Sequence, residues 1–246
     1  MQDVTAHYEH LLAKHYSWMV GVPFDSKVAE QQALLERLGV GARSGLAVDL
    51  GCGPGFQSVA LANMGFSPVI AVDTCQALLD ELTTHAGDLT IKTACADMRG
   101  FTQRVAPGSA AIIVSMGDTL THLETRADVS TLLADAHAML APGGMLVLTF
   151  RDLSVELVGL DRFVPVRSDL DRIMTCVLEY EAGSVVVNDL IYVREGGGWT
   201  LHKSSYRKLR IAAEEITREL SNLGFAVSSS QVGGGLNAIT ATRSAA

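Results

Sequence analysis

Apolar positions fall along the chain in two alternating rhythms. Short unbroken apolar runs stand at Leu46–Leu50, Pro68–Val72, Leu89–Cys95, Ala110–Met116 and Met145–Phe150, and each reads as a strand covered on both faces. Between them the spacing becomes helical over Phe56–Met64, Ala77–Leu82 and Arg126–Leu140, with stops at Gly65 and at Pro142-Gly143-Gly144. An earlier helix is predicted over Ser26–Gly39, with Ser26 as its cap, Val28, Leu34, Leu35 and Leu38 as its stripe and Gly39 as its end. Strands alternating with helices predict a parallel sheet wound by right-handed crossovers, a doubly wound, Rossmann-like α/β fold.

After residue 150 the texture changes. Ile173–Tyr180, Val185–Val193 and Trp199–Leu209 read as three β segments joined by turn signals at Ala182-Gly183 and Gly196-Gly197-Gly198. Such short connections predict an antiparallel meander. A helix over Ile211–Leu223 and two strands, Ala226–Gln231 and Asn237–Thr242, complete the pattern. The expected organisation is one domain over residues 1–246, with an N-terminal helical cover at 1–40 and an inserted antiparallel β lid at 165–210.

Composition narrows the partners. With 48 % hydrophobic and 19 % charged residues, the chain has material for a full core. Lys+Arg of 19 against Asp+Glu of 27 gives a formal charge of −8, which disfavours nucleic acid and an anionic membrane as partners. A small anionic substrate stays open, because one arginine can hold a carboxylate. No basic-then-apolar leader and no long apolar run stand out, so neither a signal peptide nor a membrane span is expected. Cys52, Cys75, Cys95 and Cys176 form no CxxC pair, which predicts reduced thiols, a cytoplasmic location and no metal site.

The chemistry concentrates in Val48-Asp-Leu-Gly51-Cys-Gly53-Pro-Gly55-Phe56, which passes from a strand through a glycine turn into a helix. Glycines there let a ligand approach the backbone closely. A dinucleotide pattern begun at Gly51 needs a small residue at position 56, where Phe56 stands, and no GK[ST] follows for a phosphate loop. Asp49 suits an ammonium group better than a pyrophosphate. Asp73, ending the next strand, can accept from ribose hydroxyls, and Asp97, after the third, from an adenine amino group. An ammonium, a ribose and an adenine without phosphates describe S-adenosylmethionine, whose sulfonium adds a second positive charge.

The order VDLGCGPG at 48–55, then Val72-Asp73, Ala96-Asp97 and Leu140-Ala-Pro-Gly-Gly144, resembles the class I S-adenosylmethionine-dependent methyltransferases. The resemblance implies a seven-stranded sheet whose last strand is antiparallel. It implies cofactor contacts at Asp49, Gly51, Cys52, Gly53 and Gly55, at Asp73 with Thr74 for the ribose, at Asp97 with Met98 for the adenine, and at Met116 and Gly117 near the methyl group. Met116-Gly-Asp-Thr-Leu-Thr-His-Leu123, Phe150-Arg-Asp-Leu153, Ser168-Asp-Leu170 and Ser204-Ser-Tyr-Arg207 are similar to the glycine N-methyltransferase branch. Carried over by position, Arg151 becomes a clamp for a substrate carboxylate, and Asp118 stands where that branch has asparagine. Asp152 likewise replaces an asparagine, so glycine itself is not fixed as the substrate.

Asp118 and His122 are the candidate catalytic residues, as acceptors of the proton an amine must lose. Tyr8, Tyr16 and Trp18 belong to a segment that in such enzymes folds over the cofactor, and Tyr16 and Trp18 are candidate substrate contacts. Strand alternation turns only one of Tyr206 and Arg207 toward the substrate, and Tyr206 is the candidate. The expectation is N-methylation of a small, amino-acid-like amine with S-adenosylmethionine as cofactor, with self-association left open. O- or S-methylation, a nicotinamide-dependent oxidoreductase and a non-catalytic S-adenosylmethionine sensor are the rivals.

Overall fold

The computed structural model describes residues 4–245. Seven strands form one sheet in the order β3-β2-β1-β4-β5-β11-β10. They are β1 (Leu46–Leu50), β2 (Val69–Asp73), β3 (Ile91–Cys95), β4 (Ala110–Ser115), β5 (Leu140–Arg151), β10 (Phe225–Val232) and β11 (Leu236–Arg243). β1 to β5 pair in parallel, whereas β11, the last strand, runs antiparallel to both β5 and β10. The parallel core follows from its sequence: in Ala-Ala-Ile-Ile-Val-Ser of β4 all but one residue are buried, because helices lie on both faces. The order reverses between β1 and β4, which opens a crevice at the strand ends beside β1.

One apolar cluster on one side of the sheet joins Phe101, Leu132, Leu133, Phe150, Ile216 and Leu220, and the other joins Leu35, Phe56, Leu61, Phe66, Leu79 and Leu82. Two boundaries differ from the expectation. The first long helix spans Phe24–Arg37 with Pro23 at its cap, since the fixed φ of proline presets the entry, and Ser26 lies within the first turn. β5 starts at Leu140, so Gly143-Gly144 do not follow a simple helix stop. They sit in a bulged start, where pairing with β4 jumps from Ala110–Leu140 to Ile112–Met145.

The second sheet is an antiparallel meander of four strands, not three: β6 (Phe163–Ser168), β7 (Arg172–Tyr180), β8 (Ser184–Glu195) and β9 (Gly198–Leu209). Pro165 and a bulge before Arg167 hide β6 in the sequence. Along β8, Val185, Val187, Asp189 and Ile191 are buried, while Val186, Asn188, Leu190 and Tyr192 point the other way. The buried face packs on a broken helical segment, Val4–Val20, through Leu11, Leu12, Met174 and Ile191. Of the expected cover at 1–40, residues 1–3 lie outside the described residues.

Candidate active site

β1 ends in a turn whose backbone only glycine adopts at low cost. Gly51 has φ +71° and Gly55 φ +93°. A Cβ at Gly51 would stand 2.1 Å from Thr119 Cγ2, so Thr119 sets how far the turn can rise. The amides of this turn are already used. Gly51 and Cys52 donate to the Val72 carbonyl at 2.8 and 3.0 Å, Gly53 to Asp73 Oδ2 at 2.8 Å and Gly55 to the Cys52 carbonyl at 3.0 Å, while Pro54 has no N–H. A phosphate cradle needs unpaired amides. This turn offers a bare Cα surface instead, which suits the flat side of a nucleoside.

The turn forms one wall of a cavity of about 980 Å³. That is at the upper end of the range for small-molecule sites, room for a nucleoside and a second reactant. The cavity is faced by Gly51, Gly53, Asp73, Thr74, Asp97, Met98, Tyr16 and His122 of the residues proposed from sequence. The structure brings these eight together from β1, β2, β3, β4 and the N-terminal segment.

Asp73 is fixed by two amides, Gly53 at 2.8 Å and Cys75 at 2.9 Å. Burial pushes its carboxyl up in spite of these bonds, so a nearby cation or hydroxyl donor would be welcome. Asp97 caps the helical turn Met98–Arg104 by accepting from the Arg99 amide at 2.8 Å, and it also takes the Arg99 guanidinium at 2.6 Å. That guanidinium holds the Asp97 carboxyl low.

The other nine stand behind the cavity wall. Asp49 is buried, accepts from Ser58 Oγ at 2.6 Å and does not face the cavity. Burial pushes its carboxyl up to about 7. Cys52 and Met116 are buried in the core, and Gly55 backs onto Leu82. Gly117 donates to Thr149 Oγ1 at 2.7 Å. Trp18 lies on the meander, where its indole donates to Asp169 and Arg167 and Arg172 stand 5.7 and 5.3 Å from its ring. Tyr206 is buried, its ring tilted against that of His7 at 4.3 Å and edge-on to His122 at 5.5 Å.

Asp118 and Arg151 also lie outside the lining. Asp118 accepts from the Arg151 amide at 3.0 Å and the Arg151 guanidinium at 3.3 Å, and is ion-paired to Lys208. Burial raises its carboxyl, but the two cations more than offset this and hold it below the usual carboxylate range. A carboxylate so held is a poor proton acceptor and a firm anchor. His122 is different. Burial, with Lys208 nearby, lowers its imidazole to about 3, and its buried Nε2 has no hydrogen-bond partner among the described residues. It is therefore neutral at pH 7, with an acceptor or donor to offer.

Sequence reasoning missed Lys208, which faces the cavity beside Arg207 and Leu209. Alternation along β9 does not mark it: Arg207, Lys208 and Leu209 in succession border the cavity, while Tyr206, expected there, is buried behind it. Thr119 and Arg99 were missed too, and no local pattern marks them. Tyr8 faces the cavity, 6.2 Å from the Tyr16 ring and 5.9 Å from that of His122. Burial pushes both phenols up, that of Tyr16 to about 12, so both remain donors.

A doubly wound sheet, a glycine turn whose amides are already bonded and a cavity bordered by Asp73 and Asp97 make up the site. Residues 47–144 match the family described as methyltransferase domain. It is 33 % identical over 121 residues to a glycine/sarcosine N-methyltransferase of Parasynechococcus marenigrum (strain WH8102), covering 48 % of this chain and 42 % of that protein. It is 29 % identical over 130 residues to a ubiquinone biosynthesis O-methyltransferase of Caulobacter sp. (strain K31), covering 48 % of each. The chain thus spans less than half the length of the curated relatives it matches. The CcbJ methyltransferase of Streptomyces caelestis shares the fold, with a TM-score of 0.76 at 17 % identity over 98 % of this chain and 99 % of that one.

Proposed function

We propose that the chain methylates the nitrogen of a small amine that carries an anionic group, with S-adenosylmethionine as the donor. Lys208 carries the reading. Lys208 borders the cavity, and its ammonium is ion-paired to Asp118. A carboxylate of the acceptor would be drawn to it. Similarity to a glycine/sarcosine N-methyltransferase supports the same class of acceptor.

When bound, S-adenosylmethionine supplies a methyl group already activated on a sulfonium. The chain's residues then have to orient and enclose. Gly51 and Gly53 give the close approach, Asp73 and Thr74 meet the ribose, and Asp97 with Met98 meets the base. Tyr8 and Tyr16 close the cavity from the N-terminal side and exclude water. An amine attacks only through a free lone pair, so it must be neutral in the site. His122 borders the cavity with its Nε2 buried and without a partner among the described residues, and a pKa of about 3 suits it to orient an amine N–H rather than to act as a strong base. Positioning of this kind is the largest contribution a protein can make to a transfer between two bound reactants.

The test is to incubate the chain with methyl-labelled S-adenosylmethionine and a set of amines with and without carboxylates, then locate the label by mass spectrometry. Label on the nitrogen of a carboxylate-bearing amine is expected. Label on an amine without an anionic group, or on sulfur, would overturn the reading. O-methylation is the second reading, favoured by the ubiquinone-pathway relative, and label on oxygen would install it.

A further inference from the structure

Two segments distant in sequence border one end of the cavity. Residues 97–99 follow β3, and residues 123–126 lead into the helix Arg126–Met139. Away from the cavity the two segments are joined by apolar packing, since Phe101 and Leu132 belong to one buried cluster. At the cavity the joint is ionic, and Arg99 makes it.

The Arg99 Nε stands 3.1 and 3.0 Å from the two carboxylate oxygens of Asp97, and its Nη2 donates to Asp97 Oδ2 at 2.6 Å. Such a two-pronged grip suits a planar guanidinium. Its Nη1 donates to Asp128 Oδ1 at 3.4 Å, and Nη2 stands 3.8 Å from Glu124 Oε1. Asp128 spends its other oxygen on Thr125, accepting from the amide at 3.0 Å and the hydroxyl at 2.6 Å in the capping box that starts the helix. One guanidinium thus stands among three carboxylates drawn from both segments. Without it those like charges would face one another and push the segments apart. Exposed ion pairs add little to stability, and the Arg99 side chain is 40 % exposed, so stability alone is a weak reason for this network. Its position on the cavity gives it another use.

We propose that Arg99 is a further specificity-determining residue of the cofactor site: it fixes the direction of the Asp97 carboxylate and sets the spacing between residues 97–99 and 123–126, where the base lies. The inference rests on Asp97 meeting the base, as proposed above. Asp97 accepts from the Arg99 amide, Nε and Nη2. A carboxylate has about four acceptor positions, so one is left, and its direction is set by the other three. An adenine amino group can donate to an acceptor fixed in that way. A base with a carbonyl there would meet negative charge, and a carboxylate gripped from two sides cannot turn aside. Arg99 would therefore act on the choice of base as well as on affinity.

Calorimetry on the whole chain tests this with S-adenosylmethionine, S-adenosylhomocysteine and S-inosylhomocysteine, in which a carbonyl replaces the adenine amino group. Arg99→Met should bind S-adenosylmethionine about tenfold more weakly, with its melting transition retained. It should also lose most of the wild-type preference for S-adenosylhomocysteine over S-inosylhomocysteine. Asp128→Asn, which keeps a cap for the helix, should shift both readings the same way by less, and it decides the matter should Arg99→Met fail to fold. Unchanged or tighter binding in folded Arg99→Met would overturn the proposal, because Arg99 would then be idle or a competitor of the base for Asp97. So would weaker binding with the preference intact, the mark of a structural role alone, and so would a wild type without the preference. Asp97→Asn separates this inference from the reading beneath it. Weak binding by Asp97→Asn beside an unaltered Arg99→Met removes Arg99 alone, whereas wild-type binding by Asp97→Asn removes Asp97 from the base and the proposal with it.

Discussion

The two halves of the cavity are built by different means. Around the glycine turn, neighbouring backbone amides make the bonds: the Val72 carbonyl accepts from Gly51 and Cys52, and the Asp73 carboxylate accepts from Gly53 and Cys75. On the acceptor side, side chains hold side chains from distant segments. His7 meets Asp189 at 3.0 Å, Cys176 meets the same carboxylate, and Asp118 gathers Lys208 and Arg151. The first arrangement is a rigid seat for one ligand. The second is a set of separable side-chain pairs.

Breaking the second arrangement should have the largest effect. His7→Ala takes the imidazole partner from buried Asp189, which keeps its contact with the Cys176 thiol. Removing one partner of a buried pair typically costs about 3–5 kcal/mol. Denaturant unfolding should register that loss. Hydrogen exchange should show protection lost over residues 4–20 and 172–209, with the turn at 51–55 still protected. Equal loss in both regions would erase the distinction.

Asp49 sharpens the comparison from the cofactor side. Folding raises its pKa from 3.8 to about 7 through burial, against the Ser58 hydrogen bond. The unfolded chain therefore loses this proton first. Stability should fall as pH climbs from about 4 to about 7, by at most on the order of 4 kcal/mol, and level off above. Asp49→Asn should remove that slope, seen as a melting temperature at pH 8 higher than wild type. An unchanged pH profile would mean that the carboxylate is relieved by a cation.

Gly51→Ala strikes the seat itself. Its Cβ would stand 2.1 Å from Thr119 Cγ2 on a backbone at φ +71°. S-adenosylmethionine should bind about 100-fold more weakly by calorimetry, which is about 2.7 kcal/mol. Lys208→Met should do the opposite in kind and less in size. The acceptor's KM should rise about tenfold, about 1.4 kcal/mol, with S-adenosylmethionine affinity within twofold of wild type. Changes of both affinities together in either variant would show the halves to be coupled.

The same contrast governs how much could be read from the sequence. The strand–turn–helix at 46–63 is local, and the glycines, Asp73 and Asp97 are legible from spacing alone, as are the parallel strands. What spacing could not give is which way a carboxylate turns. Asp49 reads as a ligand for an ammonium group, yet lies behind the turn on Ser58, because its strand position faces the helix Phe56–Asn63. Arg151 reads as a clamp, yet it and Lys208, 90 residues away from Asp118, both pair with that aspartate, and it is Lys208 rather than Arg151 that borders the cavity. Such pairs are decided by tertiary packing across long separations, where no periodicity speaks.

A turn with no spare amides and an acidic rim should seat a cationic nucleoside rather than a phosphorylated one. Calorimetric titration of the chain with S-adenosylmethionine, in the presence and absence of excess NAD, addresses it directly. One S-adenosylmethionine should bind per chain with an affinity that NAD does not alter. Binding of NAD in its place, or heat from NAD alone, would contradict it.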